Sequence, residues 1–146
     1  MPTPEQLSHW FGFAASPLAD KAKHVAIRDA ETVCVEAVSK AITDGDFLAV
    51  TTATFAFATV INVMAPESPD KTAAIRCVRI ARKAASEAVM YGRKANDPAN
   101  AGDGSAFSFS PAAQYRVAAN QCGGFALQNL TSARYQASDS IELGGK

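Results

Sequence analysis

One helical arc carries the side chains best suited to chemistry. Wound at about 100° per residue, the segment after Ser68 places Thr72, Arg76, Arg79 and Lys83 on one narrow strip, with Arg82 at its edge and Lys71 beside its start. Arginine is preferred over lysine, as expected where planar donors must match phosphate oxygens. The strip also begins at a helix N-terminus, where Thr72 and free backbone N–H groups can hold an anion. Lys71, Thr72, Arg76, Arg79 and Lys83 are therefore the candidate phosphate ligands. A solvated face or a salt-bridged interface fits the same pattern.

Catalytic groups are scarce. His9 and His24 are not at metal-ligand spacing from each other or from any cysteine, and His24 falls on the wet side of its helix. Asp44-Gly45-Asp46 resembles the start of a calcium loop, but the rest of that loop's spacing is missing, and a plain turn is the better reading. There is no P-loop, GxGxxG or GxSxG, and Gly123-Gly124 does not follow a strand. The expectation is a protein without catalytic residues, metal or cofactor, hence no enzyme.

Composition narrows the partners. A chain of 146 residues suits one domain, and its 14 basic and 14 acidic residues cancel. Bulk attraction to duplex nucleic acid or an anionic membrane is not the default at zero net charge. Cys34, Cys77 and Cys122 are odd in number, far apart and show no CxxC spacing. They read as buried free thiols in a reducing compartment, the cytoplasm. The N-terminus lacks the basic region and apolar core of a signal peptide.

The elements that position the strip follow from capping signals. Ser68 is a good N-cap, Pro69 suits the first helical position, Asp70 favours the positive end of the dipole, and Gly92 is the expected terminator. Ala74, Val78, Ala81, Ala85, Ala88 and Val89 form the packed face. Upstream, Thr3-Pro4-Glu5-Gln6 opens a short helix that docks through Trp10 and ends or bends at Gly12. Ser16-Pro17 opens a second helix reaching Thr43, with Ala19, Ala22, Ala26, Ala30, Val33, Ala37 and Ala41 on one face. A stripe of small side chains lets a neighbouring helix approach closely.

Residues 47–65 hold no charge, near the minimum length of a transmembrane helix. Thr51, Thr52, Thr54, Thr59 and Asn62, with no Lys or Arg enrichment at either flank, favour a buried core helix over a membrane span. Beyond Gly92, a polar loop leads to Phe107-Ser108-Phe109, whose rings are expected to tuck back onto the body. Ser110-Pro111 opens a helix to Gln121, Gly123-Gly124 breaks it, and a last helix runs from Phe125 to Ser138. The expected fold is all-α: a bundle of three long helices with a short N-terminal docking helix and a looser C-terminal helical pair. Its parts are a helical core at 1–92, a loop at 93–109, a helical extension at 110–138 and a flexible tail at 139–146. The two alanine faces exceed what one three-helix body needs, so a homo-oligomer is expected.

The run Pro66-Glu67-Ser68-Pro69-Asp70-Lys71-Thr72-Ala73-Ala74-Ile75, continued by Val78, Ala81, Ala85 and Val89, resembles the last two helices of a phage family. That family, the anti-CBASS sponges, consists of small all-α oligomers that sequester cyclic oligonucleotide signals of bacterial immunity. The segment His24 to Asp29 looks like its first long helix, so the resemblance spans residues 24–91. Where the family has Trp-Ala-Asn, this chain has Lys83-Ala84-Ala85-Ser86, and residues 93–146 have no counterpart. The resemblance implies a non-enzymatic homo-oligomer binding a cyclic di- or trinucleotide in the cytoplasm, the host's if the chain is phage-encoded. The residues alone equally suit a structural or assembly protein, a virion component or filament subunit, without a small-molecule ligand.

Overall fold

The computed structural model describes residues 4–102 and 110–144, and the side chains of 19–102 and 110–143. It contains α1 (Pro4–Asp44), α2 (Phe47–Met64), α3 (Pro69–Asn96), a 3-10 turn (Pro98–Asn100) and α4 (Pro111–Gly144). No strand occurs among the described residues, so the all-α class holds. Three starts are capped as their sequences require. Asp46 accepts a hydrogen bond from the Ala49 amide at 3.0 Å, Ser68 from Lys71 at 3.1 Å, and Ser110 from Ala113 at 3.2 Å.

The helices form a ring of neighbours: α1 packs on α2, α2 on α3, α3 on α4, and α4 back on α1. Ile27, Cys34 and Val38 from α1 meet Val50, Phe57 and Ile61 from α2, Val78 and Val89 from α3, and Leu130 and Ile141 from α4 in one core. The expected bundle of three long helices with a loose C-terminal pair is therefore corrected. The C-terminal segment is one 34-residue helix and the most extensively packed partner of α3.

The reason lies in spacing. Ala74, Ala81, Ala88 and Ala95 recur every seventh residue on α3, and Ala112, Ala119, Ala126 and Ala133 do so on α4; all eight are buried. Tyr91 stacks near Tyr115, Glu87 lies by Cys122 and Cys77 by Gln136, so the two helices run antiparallel. Small residues at a heptad interval let the backbones close on each other along their whole length. Two glycines cost such a helix about 2 kcal/mol, less than the burial of Leu130, Ala133, Ala137 and Ile141 beyond them returns. The expected tail at 139–146 is likewise corrected over residues 139–144, since Ser140 and Ile141 are buried and α4 continues to Gly144.

Two other expected stops fail for related reasons. Gly12 and Ser16-Pro17 lie inside α1, a single 41-residue helix. Continuing a helix avoids a second nucleation, a factor of about 10³ or about 4 kcal/mol, which balances about 1 kcal/mol for Gly12 and about 3 kcal/mol for Pro17. The expected docking of Trp10, and the rings of Phe107 and Phe109, lie outside the described side chains. Gly92 does not end α3, because the next residue is held. Arg93 donates to the Gly45 carbonyl through Nε at 2.9 Å and lies over the Phe47 ring at 4.6 Å.

Burial also departs from expectation on two helices. On α1, the seam runs through Ile27, Cys34, Val38 and Ala41, roughly 80° around the axis from the centre of the alanine stripe. Ala19 and Ala22 stay exposed and Val33 is 66% exposed. Larger side chains remove more apolar area from water, so they take the core face. On α2 the helix is as expected but its burial is not. Only Val50, Thr54, Phe57 and Ile61 of 18 residues are buried. Leu48, Phe55 and Val63 are 75%, 72% and 70% exposed.

Candidate functional site

The start of α3 brings four of the five candidate residues together. Lys71, Thr72, Arg76 and Arg79 line one depression of about 250 Å³ with Asn62, Glu67 and Ile75. Lys83 is not part of it. It lines a separate hollow of about 470 Å³ between α3 and α4, with Glu87, Gln121, Cys122 and Phe125. At about 1.5 Å per residue, Lys83 stands about 10 Å along the axis from Arg76.

Each residue in the depression has a distinct task. The Lys71 ammonium is 7% exposed as a residue and donates to Glu67 Oε1 at 2.7 Å and to the Asn62 carbonyl at 3.0 Å. That carbonyl belongs to the last turn of α2, which has no basic residue of its own. Lys71 thus satisfies an orphan acceptor and the negative end of the α2 dipole. This is a structural tie between α2 and α3, already made without any ligand. Thr72 donates its hydroxyl to the Ser68 carbonyl at 3.2 Å and keeps lone pairs rather than a proton for a guest.

The helix N-terminus offers less to an anion than its sequence promises. Pro69 has no N–H, the Lys71 amide is held by the Ser68 hydroxyl, and the Thr72 amide by the Ser68 carbonyl. Asp70 alone keeps a free first-turn amide, and its carboxylate sits beside it. What remains for an anion is the pair Arg76 and Arg79. Both are exposed, and neither has a carboxylate partner among the described residues. Glu67 on the rim partly offsets their charge.

A larger concavity lies elsewhere. Between α1 and α2 a groove of about 720 Å³ is walled by Ala30, Val33 and Ala37 on one side and Leu48, Ala53 and Ala56 on the other. Its floor includes Phe57 and Cys34. Burial, with the Glu31 charge as a second cause, pushes the Cys34 thiol up to about 12, so it is protonated and unreactive at neutral pH. Cys77 and Cys122 are also raised, chiefly by burial. No thiol is activated as a nucleophile. Glu31 is raised by burial against the opposing pull of Arg134, the ion pair that ties α1 to α4.

Sequence reasoning missed this groove because it assigned all of α2 to the core. A signal was present: α2 has no charge, and Thr51, Thr52 and Thr59 fall together on one side of it, the side left exposed. Thr51 and Thr59 donate to the carbonyls of Phe47 and Phe55 at 3.2 and 2.9 Å, which turns their methyl groups outward. No protein-family model, curated protein or solved structure matches this chain.

Proposed function

We propose that this protein is a non-enzymatic assembly protein whose subunits associate through the uncharged face of α2 and the adjoining α1 groove. One observation carries the reading: an 18-residue helix without a single charge keeps Leu48, Phe55 and Val63 exposed along one side. Contiguous exposed apolar surface of that kind marks an interaction site. A cytoplasmic setting belongs to the same reading, supported by three free cysteines. Light scattering tests it. The wild type is expected to exceed the monomer mass of 15.3 kDa, and Phe55→Glu to return it to that mass with helicity intact. A monomeric wild type at working concentration overturns the proposal.

A second reading is favoured by Arg76 and Arg79, two cations in one depression without carboxylate partners among the described residues. On it, the assembly sequesters a nucleotide-like anion such as a cyclic di- or trinucleotide, as the resemblance to the phage sponges implies. Each guanidinium would add a charge-assisted hydrogen bond worth about 1.5–3 kcal/mol. Calorimetry against cyclic di- and trinucleotides should give heat with the wild type and Lys94→Glu, and none with Arg76→Glu. No heat from any of these ligands returns the arc to a solvated face.

A further inference from the structure

A cleft of about 640 Å³ lies between residues 20–28 of α1 and residues 134–142 of α4. Three cations, Lys21, Arg28 and Arg134, and three carboxylates, Asp20, Asp139 and Glu142, line it. Among the described residues, none of the six pairs with another. Only Arg134 has an ion partner, Glu31, which lies outside the cleft. We propose that this cleft binds a di- or tripeptide by its two free ends, the carboxylate at Arg28 and Arg134 and the ammonium at Asp139 and Glu142. None of these residues lines the α1–α2 groove or the Arg76 depression, so the proposal stands apart from both readings above.

Charge balance is the first argument. With His24 counted neutral, the lining has as many positive as negative groups. A lone anion or cation meets as much repulsion as attraction there, whereas a zwitterion answers both signs. The order of the charges is the second argument. Helices α1 and α4 run antiparallel, since Glu31 meets Arg134 and Ile42 lies against Gly123. Arg28 and Arg134 therefore sit toward the Glu31 end. Of the four charged groups beyond them, Asp139, Glu142 and Asp20 are acids and Lys21 is a base. The cleft is positive toward the middle of the bundle and negative toward its end.

Reach is the third argument, and it selects the size of the guest. Arg134 and Asp139 are five residues apart on α4. That is about 7.5 Å along the axis, and about 10 Å with the turn around it included. An extended chain spans about 3.3–3.6 Å per residue, so the end charges of a di- or tripeptide stand about 7–10 Å apart. A free amino acid is too short to reach both groups. The arginine is also held in advance. Arg134 pairs with Glu31 at Nε, and its guanidinium carbon lies 4.1 Å from the centre of the Tyr135 ring. The Nη groups carry further N–H donors, in the fork geometry that a carboxylate accepts from. A side chain fixed on two sides gives up little freedom when a guest arrives.

Calorimetry on the full chain tests this. Trialanine with both ends free should bind the wild type, and its N-acetylated and C-amidated forms should each bind at least about tenfold more weakly, as loss of a charge-assisted hydrogen bond requires. Free alanine should give no heat. Arg28→Gln and Asp139→Asn, both at exposed positions, should each weaken trialanine at least about tenfold with helicity unchanged. Arg79→Gln on α3 should leave it as in the wild type. No heat from dialanine or trialanine at up to about 10 mM overturns the proposal. Blocked peptides that bind as well as the free one overturn it, because two-ended capture is its content. Peptide binding that Arg28→Gln and Asp139→Asn leave untouched overturns it by placing the peptide elsewhere. Inorganic phosphate that binds where no peptide does, and is lost in Arg28→Gln, overturns it in favour of a plain anion site.

Discussion

The α3–α4 seam and the α1–α2 face are made from similar material, yet one is closed within the chain and the other is open. Both are rich in alanine and poor in charge. On the seam, the alanines repeat every seventh residue on both helices, so each small side chain meets a small side chain for the full length. On the face, alanines are interleaved with Val33, Leu48 and Phe55, which stand proud of the surface. Small residues alone therefore do not decide what a helix packs against. Their interval does.

Mutations that separate the two regions sharpen this contrast. Leu130, fully buried beside the seam, should cost about 2–5 kcal/mol of stability as Leu130→Ala, read by urea denaturation. Ala81→Leu should lose about 1–3 kcal/mol by overpacking, whereas the equivalent enlargement of exposed Ala22 to Leu should leave stability within about 0.5 kcal/mol. Equal losses at both alanines would erase the distinction. Gly124, where an added Cβ meets nothing within 4 Å, should gain about 0.4–1 kcal/mol as Gly124→Ala, seen as a higher thermal midpoint. A loss there would mean α4 needs a break after all.

The smallest effect is a pH slope. Burial raises Glu31 above its ordinary value of 4.5, so the unfolded chain ionises first as pH rises. The native state then binds more protons through that window, and stability from this group falls as pH climbs through it. Glu31→Gln should flatten that part of the stability profile between pH 4 and neutrality, measured by chemical denaturation at several pH values. An unchanged slope would exclude Glu31 as its source.

Much of the fold was legible in sequence because capping is local. Ser68 and Ser110 each announce a helix within three residues, and each caps one; Asp46, read as part of a turn, caps α2 as well. The stops were less legible. Gly92 and Gly123-Gly124 are local penalties of about 1 kcal/mol per glycine, overridden by contacts distant in sequence such as Arg93 on Gly45. The heptad alanines across Gly123 were the available warning. At the candidate site, the helical spacing put Thr72, Arg76 and Arg79 on one strip, and they line one depression. It did not show that the Asn62 carbonyl engages Lys71, which depends on where α2 ends in space, although the i,i+4 pairing with Glu67 was there to be read.

Helix α2 is secured at both extremities by cations from α3. Arg93 holds the corner before it, at Gly45 and Phe47, and Lys71 holds its final turn at Asn62. Between these anchors Val50, Thr54, Phe57 and Ile61 are buried, and Ala49, Ala53, Ala58 and Val60 pack beside them. The helix is in effect a strut fixed at each end with its outer side bare. A strut does not have to find its shape when something arrives, so the entropy of ordering is already spent before any encounter. Severing one anchor, as in Arg93→Ala, would leave every exposed side chain of α2 in place and still slow its capture by a partner.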